Sequence, residues 1–152
     1  MTIRIIAALG AVSLAAAPLA AQDTTAAPTK TFTAAEEARH MALGRKVNTW
    51  FFEGQADSLL AIADSTTRER MGGIEGVRRQ MDMVGERAGI PLNVLVEKMT
   101  HRRGIPQFWW EAEFSSFTQE PIVIRWLFNE QGEMVGAGMG PKSQAPPPDG
   151  EG

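Results

Sequence analysis

Positions His40, Leu43, Val47, Trp50 and Phe51 recur at helical spacing, which predicts an amphipathic helix whose apolar side can cover a sheet. Thr33, with Glu36 three residues later, forms a capping box that opens this helix, and Gly54 closes it. A second helix is predicted over residues 56–63, where Leu59, Leu60 and Ile62 fall together; Ser65 has the chemistry to cap a further turn over 66–71. Gly72 and Gly73 break that segment. A third helix then places Ile74, Val77, Met81 and Val84 at offsets of three and four, and Gly89 and Pro91 end it.

From Leu92 the pattern changes. LNVLVEKMTHRRG is rich in branched residues and runs to a turn at Arg103, Gly104 and Ile105, so it reads as a strand. Alternation along the next stretch puts Phe108, Trp110, Ala112 and Phe114 on one face and Trp109, Glu111, Glu113 and Ser115 on the other. A third strand sets Ile122, Ile124, Trp126 and Phe128 against Val123, Arg125 and Leu127, and the first set in each strand is predicted to be buried. For both buried sets to share a face, Arg125 lies opposite Glu113, or opposite Ser115 with Glu113 on the diagonal. A three-residue loop with Gly132 in the left-handed position then pairs Phe128 with Met134, Trp126 with Gly136 and Ile124 with Gly138. Met134, Gly136, Gly138 and Gly140 are thereby predicted to line the inner face, leaving a hollow beside the bulky third strand. Three helices followed by four closely connected strands is an α+β order: helices packed on one face of an antiparallel meander.

The ends of the chain read differently. Residues 1–21 have one early cation, Arg4, then an apolar run and small residues, the form of a secretory signal peptide cleaved after Ala21. Export to the periplasm or the extracellular space is therefore expected, with no membrane span left after cleavage. Residues 22–32 read as a flexible leader, residues 33–141 as the folded domain, and the Pro-rich stretch 142–152 as a disordered tail. The chain has no cysteine, which rules out disulfides and thiolate metal sites. Its formal charge of −3 becomes more negative once Arg4 is removed, which argues against a nucleic-acid partner.

Helices first, then a meander whose face they cover, resembles the nuclear transport factor 2-like superfamily. More closely, WFFEGQADSLLAIADSTTRERMGG, LNVLVEKM and IRWLFNEQGEMVGAGMGP resemble a bacterial exported family of unknown function within it, over residues 39–141. The resemblance implies a cone, with the helices packed on the concave face of a curved sheet. It also implies an exported serine hydrolase resembling β-lactamases as a possible partner, because such domains often accompany one. Tyrosine is absent, so the acid–tyrosine pairing of the superfamily's ketosteroid isomerases does not carry over.

The candidate chemistry divides by face. Trp50, Phe51, Phe108, Trp110, Trp126 and Met134, with room supplied by Gly136 and Gly138, either fill a core or line a pocket for an apolar small molecule. Outside, Trp109, Glu113, Val123, Arg125 and Leu127 form either a solvated cross-strand patch or the contact of a homodimer. His40 falls on the apolar face of the first helix, where a ring bonded to a carbonyl is expected. A base for an isomerase, cyclase or hydrolase would have to be His101, Glu111 or Glu113; Glu97 and His101 share a strand face but stand about 13 Å apart, too far to form a dyad. The sequence thus points to a non-catalytic exported domain, without cofactor or metal, that binds an apolar ligand or a partner protein. A small enzyme is the alternative.

Overall fold

The computed structural model describes residues 31–150 and holds four helices followed by four strands. The signal-peptide assignment, most of the leader and the last two residues lie outside that range. Helix α1 (Ala34–Phe52) opens on the expected capping box: the Thr33 hydroxyl accepts from the Glu36 amide at 3.2 Å and the Glu36 carboxylate accepts from the Thr33 amide at 2.9 Å. After α2 (Ala56–Ala61) the predicted further turn is a helix in its own right, α3 (Ser65–Arg70), so there are four helices and not three. Its cap is Asp64 rather than Ser65. A carboxylate one residue earlier reaches the Thr67 amide, which leaves Ser65 as the first helical residue. Helix α4 (Gly73–Ala88) completes the set.

Strands β1 (Pro91–Arg102), β2 (Ile105–Phe114), β3 (Ile122–Phe128) and β4 (Met134–Pro141) form one open antiparallel sheet in sequence order. The turn between β1 and β2 has two residues at positive φ, Arg103 and Gly104, the backbone of a two-residue hairpin. Helix α1 crosses β1, β2 and β3, α2 packs on α1 and α4, and α3 touches β4. Val47, Leu59, Val77, Phe108, Ile124, Phe128 and Met134 are buried between these layers.

The register departs from the sequence reading in two places. Phe108 pairs with Trp126 and Trp109 with Arg125, so Arg125 lies opposite neither Glu113 nor Ser115. The link from β2 to β3 is wide rather than tight, because Ser115 and Ser116 turn back to bond the carbonyls of Ile90 and Ala88. At the next hairpin Phe128 does pair with Met134, but a bulge follows at once, and Leu127 pairs with Gly136 and Arg125 with Gly138. One extra residue exchanges the two faces beyond it. The glycines therefore stand on the outer face, with the Arg125 guanidinium laid over Gly138, and Ala137 and Met139 take the inner positions beside Trp126 and Ile124.

The outer face is not bare. Where a disordered tail is predicted, residues 142–150 form a strap across the sheet, beginning with a single 3-10 turn, Lys142–Gln144. At one end the Lys142 amide donates to Pro121 O, its ammonium reaches Glu111 at 2.8 Å, and Glu120 accepts from the amide and hydroxyl of Ser143. At the other end Arg102 donates to Pro147 O, and Asp149 bonds the His101 carbonyl through its amide and the Gly104 amide through its carboxylate. Between these anchors lie Trp109, Gln107, Thr100 and Val123, all of them buried.

Candidate functional site

Between helices α3 and α4 and the inner face of β3 and β4 lies a cleft of about 470 Å³. Phe51, Ile124 and Trp126 form its floor, and Met71, Val84 and Met139 its walls. Trp126 is fixed there by Asn48 of α1, whose side-chain oxygen accepts from the indole N–H at 2.6 Å. That bond satisfies the ring's one polar group away from the cleft and leaves its apolar face to the space. Arg70, Gln80 and Met83 form the rim, and Thr67, which is buried, also lines the cleft.

A short relay sets the rim. The Asp64 carboxylate accepts from the Thr67 amide at 2.7 Å, and the Thr67 hydroxyl accepts from the Arg70 guanidinium at 3.1 Å. The same guanidinium nitrogen, Nη2, donates to Val135 O of β4 at 3.1 Å. Residues 64, 67 and 70 are three apart and so share one side of α3. The hydrogen bonds from the Thr67 side chain and backbone, with Arg70 nearby, hold the Asp64 carboxyl below its ordinary range.

Of the residues expected to line a pocket, the structure brings four to this cleft: Phe51, Trp126, Gly136 and Gly138, the glycines through their backbone alone. Phe108 and Met134 are wholly enclosed in the core, and Trp110 packs against Phe52 and Phe114. Trp50 is half-buried with the Lys46 ammonium 4.9 Å from its ring. Thr67, Arg70, Met71, Gln80, Met83 and Met139 were not expected. A signal for two of them was present, since Asp64, Thr67 and Arg70 recur at one helical offset.

The candidate bases lie elsewhere. His101 stacks on Phe32 with ring centroids 4.0 Å apart, at the end of the sheet where His40 sits against Phe128. His40 Nδ1 meets Glu36 O at 2.9 Å, the carbonyl contact expected of it. Phe32 belongs to the stretch read as leader, yet it joins these two rings. Glu111 is buried on the outer face against Lys142, and Glu113 is exposed and bonded to Asn93. None of the three lines the cleft.

The outer-face residues are likewise redistributed. Trp109 and Val123 are buried within this chain, and Leu127 and Arg125 are half-buried, so the exposed apolar patch that suggested a dimer contact is absent there. Burial, with Arg102 nearby, holds the Arg125 guanidinium below its ordinary pKa. Among the described residues no cluster of His, Asp and Glu is arranged to hold a metal ion, and no helix is long and apolar enough to cross a membrane. No protein-family model, curated protein or solved structure matched the chain.

Proposed function

We propose that this chain is an exported, non-catalytic binding domain of the nuclear transport factor 2-like kind, and that the cleft between α3, α4 and β4 takes an apolar small molecule. The observation that carries the reading is the lining: a floor of Phe51, Ile124 and Trp126 with walls of Met71, Val84 and Met139, beside a volume suited to a small ligand. Methionines make such a wall adaptable, because an unbranched thioether side chain refits to different shapes. His101, Glu111 and Glu113 each lie outside the cleft with other neighbours, which favours binding over the enzymatic alternative.

Titration with the neutral dye N-phenyl-1-naphthylamine tests this. Saturable, blue-shifted emission is expected, and Ala137→Trp should abolish it, because Ala137 is an exposed lining residue whose enlargement fills the space without entering the core. A linear, non-saturable signal from the unaltered protein would overturn the reading.

A further inference from the structure

Arg70 is the one charged residue among the described residues that line the cleft, and no carboxylate joins it there. Its guanidinium is already oriented: Nη2 donates both to Thr67 Oγ1 and to Val135 O, and Thr67 is itself buried and tied to Asp64. Asp64 is near enough to feel the charge, but its carboxylate is turned to the Thr67 amide and makes no ion pair with Arg70. The remaining donors, Nε–H and the Nη1 amino group, have no acceptor among the described residues, and each can give a charge-assisted hydrogen bond to a carboxylate oxygen. Gln80 adds a neutral amide on the α4 side of the same rim. An arginine held rigid beside an apolar floor loses little side-chain freedom on binding, so its attraction is expressed as affinity.

We propose that the cleft selects apolar acids: molecules whose hydrophobic body lies over Trp126 and Ile124 and whose single carboxylate is received by Arg70. The proposal rests on the cleft being a ligand site, and its test separates the two. Dodecanoate and dodecan-1-ol, both below their aggregation limits at pH 8, are compared as displacers of N-phenyl-1-naphthylamine from the full chain. The acid is expected to displace the dye at a concentration at least about tenfold lower than the alcohol, the usual gain from a hydrogen-bonded charge. Added salt should narrow that gap, because Arg70 is exposed at the rim. In Arg70→Gln the gap should close, acid and alcohol being compared against that variant's own dye affinity. Equal displacement by acid and alcohol, or a gap that survives Arg70→Gln, overturns the selection of acids and leaves the cleft a ligand site. Failure of the dye to bind the unaltered protein overturns both. If Arg70→Gln also loses the dye, the comparison in the unaltered chain decides alone.

Discussion

Gly44 shows how a single residue carries a constraint that its neighbours in sequence do not announce. It lies on α1 directly over Phe108, and a methyl group added there would overlap the ring and its Cβ, neither of which has space to retreat in a fully buried core. Alanine normally favours a helix over glycine by about 0.5–1 kcal/mol, whereas overpacking a filled core costs about 1–3 kcal/mol. The clash should win. Gly44→Ala is expected to lower the urea midpoint by an amount equivalent to about 1 kcal/mol, the difference between the middle values of those two effects. Gly85 on α4 has nothing within reach of an added methyl, so Gly85→Ala should raise the midpoint. Equal signs for the two variants would refute the assignment. Periodicity found the helix and its buried stripe, because Val47 and Phe51 face inward. It was silent on Gly44, whose role depends on a ring far away in sequence. Arg70 escaped for a related reason: its meaning comes from Val135 O and the cleft, and composition carries neither.

Among the elements, the strap was the least legible. Three consecutive prolines and few apolar side chains predict a solvated tail, yet the strap is held through Pro147 O, the Asp149 amide and three carboxylates, Glu111, Glu120 and Asp149. Backbone groups are common to every sequence, so composition does not reveal that they have partners. The carboxylates supply a test. Backbone bonds from Gly104 and Arg103 lower the pKa of Asp149 below its ordinary 3.8, and the Ser143 amide and hydroxyl lower that of Glu120 below 4.5. A depressed carboxyl stabilises the folded state above its ordinary pKa, and that contribution is lost as pH falls through the lowered value. The strap should therefore hold throughout neutral pH, begin to weaken as pH falls towards 4.5, and release in stronger acid. The Gly104 and Ser143 amide signals in NMR should move towards random-coil positions over that window. At neutral pH, Asp149→Asn should shift the first signal and Glu120→Gln the second. Signals that stay fixed down to the global acid transition would show that the strap is held by something else.

For the molecule as a whole, the order of helices before a meander was readable because each element carries its own period and its own breaks. The relation between the two faces was not, since one bulge after Phe128 carried Gly136 and Gly138 from the predicted inner face to the outer one. The cleft consequently lies between α3, α4 and β4, with Ala137 and Met139 beneath the helices, and Gly138 serves instead to let Arg125 lie flat outside. That outer face makes a prediction about association. A chain ending at Pro141 loses the strap but no side chain of the main core, so it should remain folded. It would then expose Trp109 and Val123 together, beside Leu127, a contiguous apolar patch of the sort that drives self-association. Glu111, released from Lys142, would regain water rather than remain buried and unpaired. Sedimentation should show the truncated chain forming larger species than the full chain at equal concentration, with tryptophan emission shifted to the red. Ile90, Leu92, Val94 and Leu95 are exposed along the start of β1 in both forms, so any association through them is common to the two and cancels in the comparison. If truncated and full chains sediment alike and emit alike, the strap does not shield this face, and the burial of Trp109 must come from elsewhere in the chain.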